Sequence, residues 1–189
     1  MAKVTSGRGL WPLASICGFL FFVNCAQFYN LGTRFGSWWT LLSAFFLAPV
    51  IGYLYLSFSA FFIYVAGKLI HGQATYSKCR LALAWSYVPL VINVVTWLFL
   101  IFSFPQLIFT NYAIGMPMSA SFMYFVLMLY VAQLVGAIWS LIIFFYCLAV
   151  VQKFSILRAV VNVVIATLIC SICLVILWIL ILNALVYLK

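Results

Sequence analysis

Residues Tyr64 to Leu90, YVAGKLIHGQATYSKCRLALAWSYVPL, decide how this chain is read. The stretch holds three of the nine cationic residues, Lys68, Lys78 and Arg80, and the single histidine, His71. One apolar run enters it and another leaves it. Gly67 and Lys68 close the first run, Gly72 offers the left-handed residue that ends a helix, and Thr75 suits an N-cap for the next. The pattern is the end of one transmembrane helix, a short basic turn and the start of another.

Composition supports that reading. Seventy per cent of the residues are apolar and 5% are charged, more apolar surface than a water-soluble domain can hide, so the solvent is lipid. The 189 residues leave room for about five spans of roughly 20–25 residues. The expected fold is all-α: a polytopic membrane helix bundle of five transmembrane helices in a single domain over 1–189, with spans at about 10–31, 48–69, 82–104, 122–148 and 159–187.

The chain contains no Asp and no Glu. Carboxylate acid–base chemistry, carboxylate metal ligands and acidic proton relays are therefore excluded. Each Lys and Arg must turn to water, to helix C-terminal carbonyls or to lipid phosphates. Nucleic acid is not an expected partner, because the cations sit in short loops between spans. Five of the six cysteines lie in apolar runs, where a thiol acts as a small hydrophobe. Cys170 and Cys173 have the spacing of a redox motif, but they sit mid-helix without a preceding strand or an activating charge.

Around the central stretch the remaining spans fall into place. The run from Leu10 to Leu31 is too long for a signal peptide core and reads as a retained first span. Asn24 and Gln27 share one of its faces and should point at protein or at the interface. Gly32 to Gly36 makes a short loop, and Trp38 and Trp39 resemble an interfacial aromatic anchor. The apolar run from there to Ile70 exceeds one span and is interrupted by Pro49 and Gly52. It is either a short interfacial piece at 37–45 followed by a span, or one kinked, tilted helix. In the third span Pro89 deprives the Trp85 carbonyl of its donor and should kink the helix. Pro105 to Pro117 is an uncharged loop. In the fourth span Ala132, Gly136 and Ser140 form a small-residue ridge that lets another helix approach closely, with Gln133 beside it for an interhelical hydrogen bond. Ser155 then suits an N-cap, with Arg158 in the first turn that follows.

Seven cations, Lys3, Arg8, Lys68, Lys78, Arg80, Lys153 and Arg158, fall on the N-terminal side, and Arg34 and Lys189 fall on the other. By the positive-inside rule the N-terminus is cytoplasmic and the C-terminus lies across the membrane.

No catalytic, metal or cofactor site is expected. His71 has no carboxylate to orient it and no partner set for a metal. Cys79 lies in a basic region expected to be exposed, where a thiolate is somewhat favoured. The two cytoplasmic turns have more content. In each, a hydroxyl N-cap precedes cations that oppose the helix dipole, at about 0.3–1 kcal/mol each. A bound anion reverses that sign, and a basic residue near an anionic leaflet gains about 1 kcal/mol. Lys68, His71, Lys78, Arg80, Lys153 and Arg158 are thus the candidate contacts for anionic lipid head groups. The plainer reading is that these charges only set topology.

The run from Ala66 to Leu90 also resembles the signature of the Yip domain family of Rab-interacting membrane proteins. His71-Gly72 stands where that family has Gly-Gly, Gln73-Ala74-Thr75-Tyr76 follows, and Ser86-Tyr87-Val88-Pro89 supplies the proline. Ile138-Trp139 and the turn from Ser155 to Arg158 are similar too. The resemblance covers about residues 45–170. It implies five spans, a cytoplasmic N-terminus and no enzymatic activity. In eukaryotic members it implies vesicle trafficking and membrane shaping with Rab-type GTPases at the endoplasmic reticulum and Golgi. The family's long N-terminal region with its acidic motif is not found here, which places the chain nearer the short bacterial members of the inner membrane.

The expected function is therefore a non-enzymatic membrane protein that organises lipid, a membrane-protein partner or further copies of itself through a basic cytoplasmic face. The alternative is a small transporter or channel with Pro89, Gln133 and Asn162 along its path. An enzyme, third, would need a cluster around His71 and Cys79.

Overall fold

The structure, a computed structural model, describes residues 9–104, 109 and 119–187. Lys3, Arg8, Lys189 and the loop predicted from Pro105 to Pro117, Phe109 apart, lie outside the described residues. Among the described residues every regular element is a helix: α1 (Leu10–Phe28), α2 (Leu31–Phe35), α3 (Ser37–Leu69), α4 (Tyr76–Ser86), α5 (Val91–Ser103), α6 (Ala120–Gln152) and α7 (Ile156–Tyr187). Four of them, α1, α3, α6 and α7, are long and apolar enough to cross a membrane, and the bent pair α4 and α5 makes a fifth span if counted as one. The chain is an all-α bundle of multi-pass type.

Its tightest contact is the antiparallel pair α1 and α3. A Cβ on Gly18 would strike the Ala48 carbonyl and the Gly52 amide, and a Cβ on Gly52 would strike the Ala14 carbonyl. Backbone therefore lies on backbone, which only small residues permit. Ala44, Ala48, Gly52, Leu56 and Ala60 continue the buried seam along α3. Two apolar clusters fill the bundle. One, around Leu56, Ile63, Leu83, Phe144 and Leu148, joins α3, α4, α6 and α7. The other, around Phe19, Val23, Trp97 and Ile101, joins α1, α3 and α5.

Near the N-terminus one open reading closes and one expectation changes. Of the two alternatives for the run that starts at residue 37, the single helix is the one found: α3 runs through Pro49 as one helix of 33 residues. At 1.5 Å per residue that is about 50 Å, longer than the roughly 30 Å hydrocarbon core, so the helix is long enough to span with tilt and to extend beyond the core. The loop predicted at Gly32 to Gly36 is mostly the short helix α2, which Asn30 enters in a left-handed conformation, and Gly32 packs against Phe109.

The third span is broken rather than merely kinked. α4 stops at Ser86, residues 87–90 turn, and α5 leaves at 50°. The physical cause is Pro89, and the freed carbonyls find other donors. The Val88 N–H takes the Trp85 carbonyl at 3.2 Å. The Ser140 hydroxyl of α6 donates to the Ser86 carbonyl at 2.6 Å. Gly136, one turn earlier on α6, leaves room for Asn93 and the Pro89 carbonyl. The ridge of Gly136 and Ser140 thus seals the break, while Ala132 at its far end is only half-buried. The last helix behaves differently. Its buried residues, Ala159, Asn162 and Ala166, lie in its first half, and from Ser171 to Ala184 every side chain is exposed.

Candidate functional site

The described cations divide unevenly between the two ends of the bundle. Lys68, Lys78, Arg80, Lys153 and Arg158 lie at the end where α3 meets α4 and α6 meets α7, whereas Arg34 lies on α2 at the other. The two turns at the basic end are built alike. At the end of α3, the Gly72 N–H reaches the Gly67 carbonyl at 2.6 Å and the His71 N–H reaches the Lys68 carbonyl at 3.2 Å. At the end of α6, the Phe154 N–H reaches the Ala149 carbonyl at 2.9 Å and the Lys153 N–H reaches the Val150 carbonyl at 3.4 Å. Both are doubly hydrogen-bonded left-handed caps.

The left-handed residue is not the predicted Gly72. It is His71, with φ of 64°, and in the second turn Lys153, with φ of 58°. Gly72 is needed for a different reason: it is buried, and a Cβ there would fall on the Gln152 side chain.

Gln152 holds the two turns together. It is 1% exposed. Its Oε1 accepts the Ala74 N–H at 3.3 Å, its Nε2 donates to Cys79 Sγ at 3.5 Å, and its main-chain carbonyl accepts the Gln73 N–H at 3.3 Å. Gly67 and Gly72 both owe their missing side chains to this one glutamine. Sequence reasoning passes over Gln152, because a glutamine beside Lys153 reads as a solvated end.

The predicted contacts do not all face the same way. Lys68, His71, Lys78, Lys153 and Arg158 are exposed. Arg80 is turned into the protein, which corrects its place in the belt. Its guanidinium lies over the rings of Tyr53 and Tyr76, at 5.2 and 5.6 Å from their centroids. It donates to the Tyr53 hydroxyl at 2.9 Å and to Ser57 Oγ at 3.5 Å. Trp11 also stacks on Tyr53, at 5.3 Å between ring centroids. Arg80 therefore ties α4 to α3 through cation–π contacts, and the Trp11 stack joins α1 to the same tyrosine.

The hydroxyl caps also differ. Ser155 Oγ accepts the Arg158 N–H at 3.4 Å, whereas Thr75 takes the N-cap position without a side-chain cap bond. Cys79, expected to be exposed, is fully buried against Gln152, so it does not share the surface of His71.

Beside Lys78 an apolar groove of about 320 Å³ runs between α4 and α6. Leu81, Trp85, Cys147 and Val150 line it, and Val151 brings its wall to within two residues of Lys153.

A second feature lies at the α4–α5 break. A cavity of about 240 Å³ is lined by Cys17, Asn24, Tyr55, Tyr87, Asn93, Trp97 and Gln133, among others. Among the described residues Gln133 does not form the expected interhelical bond: its Nε2 is buried without a partner there, and so is Asn93 Oδ1. Asn162, expected on the same path, is not among its lining residues; it is fully buried in α7 with both side-chain polar atoms unpartnered. Gln27 donates to the Tyr130 hydroxyl at 3.5 Å, and Asn24 donates to the Leu20 carbonyl of its own helix at 2.6 Å.

Comparisons with family models, with characterised proteins and with solved structures find no match to this chain.

Proposed function

We infer that this is a non-enzymatic integral membrane protein of Yip type whose basic end, on the cytoplasmic side, docks anionic lipid head groups and so organises the membrane or a partner protein. The observation that carries the reading is the exposure of Lys68, Lys78, Lys153 and Arg158 on two turns locked by Gln152, in a chain without a single acidic residue. No acidic side chain exists in the chain to neutralise these charges, and lipid phosphates are the anions always present at such a surface. Two further observations support it. His71 and Lys153 occupy left-handed positions where glycine is the easier residue, so their side chains are kept there at a cost of about 1 kcal/mol each. The groove beside Lys78 suits an acyl chain whose phosphate rests on the ammonium group.

Native mass spectrometry of the protein released gently from its own membrane tests this. Wild type retains anionic phospholipid, and the variant Lys68→Gln/Lys78→Gln/Lys153→Gln/Arg158→Gln loses most of it. Equal retention by both would reduce these cations to markers of topology. A second reading, a small transporter or channel, is favoured by one observation, the polar cavity at the broken helix.

A further inference from the structure

We propose that the cavity at the α4–α5 break is a binding site for a small neutral solute bearing hydroxyl or carboxamide groups. It does not depend on the lipid reading, since it lies away from the basic turns and uses other residues.

Two buried atoms point to it. Among the described residues Asn93 Oδ1 is an acceptor without a donor, and Gln133 Nε2 is a donor without an acceptor. Both side chains line the same cavity of about 240 Å³. A buried polar atom without a partner is costly, the more so in a membrane where water is scarce. As the side chains stand, neither atom is open to a water-sized group, so a ligand must turn the two amides toward itself; a group that both donates and accepts would then satisfy both. Hydroxyls and carboxamides do this; an ion of either sign serves only one of them.

The rest of the lining sharpens the choice. Among the described residues it contains no Lys, Arg or His, so a bound ion would have no counter-charge in a low-dielectric site. Asn24 and Tyr87 add polar positions, while Leu90 and Trp97 supply apolar wall for a carbon skeleton. At roughly 30 Å³ for each water-sized group, the volume accommodates a molecule of several heavy atoms. The backbone adds a reason for the location. Pro89 breaks the helix here, and irregular backbone at membrane depth is tolerated where it is covered by protein or lines a polar cavity.

Acrylamide, itself a small neutral amide and a quencher of indole fluorescence, is a direct probe, because Trp97 is 3% exposed and faces the cavity. The Trp97 signal is the difference between wild type and Trp97→Phe, both in lipid nanodiscs. We expect acrylamide to quench it saturably and iodide to leave it untouched. Acetamide and glycerol, one for each candidate group, should compete and weaken the quenching several-fold. Asn93→Leu/Gln133→Met removes both orphan atoms with little change of volume, and should abolish saturation and competition. Circular dichroism confirms that this variant remains folded, and Gln133→Met alone serves if it does not. A Trp97 signal that acrylamide cannot reach means that the cavity holds structural water only, and overturns the proposal. Linear quenching indifferent to acetamide and glycerol, or identical in the variants, overturns it equally.

Discussion

Gln152 offers the sharpest test of how the basic end is built. In Gln152→Ala the buried N–H of Ala74 loses its acceptor, which costs about 1–3 kcal/mol. The truncation also leaves a hole where a side chain 1% exposed had been, and large-to-small changes in a core cost about 2–5 kcal/mol. The two terms overlap, so a loss of about 3–4 kcal/mol is expected. The neighbouring glycine makes the prediction specific. In Gly67→Ala the new methyl meets the amide end of Gln152. That amide can yield only by giving up Ala74, so the substitution costs about 1–3 kcal/mol. On the Gln152→Ala background the space is empty, and alanine in a helix is then better than glycine by up to about 1 kcal/mol. The same substitution should therefore change sign. Equilibrium unfolding in mixed micelles of a mild detergent and dodecyl sulfate, followed by circular dichroism, measures all four species. If the two substitutions add to within ~0.5 kcal/mol, Gln152 does not occupy the space that Gly67 leaves.

Two further predictions follow the same physics. Gly18→Ala places a methyl on the Ala48 carbonyl and the Gly52 amide, which cannot swing aside, so it should cost more than about 3 kcal/mol. Gly9→Ala, with nothing among the described residues within 4 Å, should stay within about 0.5 kcal/mol, and unfolding curves for both separate a true backbone crossing from a loose one. Arg80→Lys gives up the planar fork between Tyr53 and Tyr76 and should lose about 1–2 kcal/mol while keeping its lipid. Lys78→Gln should lose lipid and almost no stability; the reverse pattern would return Arg80 to the basic face.

Much of the architecture is legible in the sequence because charge punctuates it. The turns around Lys68 to Arg80 and around Lys153 stand out against apolar runs, and the helices follow from the lengths between them. Pro89 likewise announces the break, since a missing N–H is a local fact. What stays hidden depends on partners remote in sequence. Gln152 acquires its role only when two turns some eighty residues apart meet (Ala74 and Gln152 are 78 positions apart). Arg80 reads as one more basic-turn charge until Tyr53 arrives from α3, although Tyr76, one helical turn before it, is a local hint. The α1–α3 crossing had a readable signal: Ala14 and Gly18 lie four apart, as do Ala44, Ala48 and Gly52, the same spacing that marks Gly136 and Ser140. Asn93, four residues after Pro89, falls one turn beyond the break, which is where a polar side chain can look into it.

The outward-facing second half of α7 separates two kinds of mutational sensitivity. Among the described residues no neighbour covers Ser171 to Ala184, so trimming a side chain there removes little packing. That segment belongs to the most apolar of the candidate spans, and its position is decided when the nascent helix partitions into lipid, at about −0.3 to −0.6 kcal/mol for each central Leu, Ile, Phe or Val. Leu→Ala substitutions in this half should therefore be nearly silent in the assembled protein. A single Asp or Lys should act earlier, during biogenesis, at a cost of about 2.5–3.5 kcal/mol. Around Gly18 and Gln152 the order is reversed: insertion is indifferent to the substitution, and assembly is where it is felt.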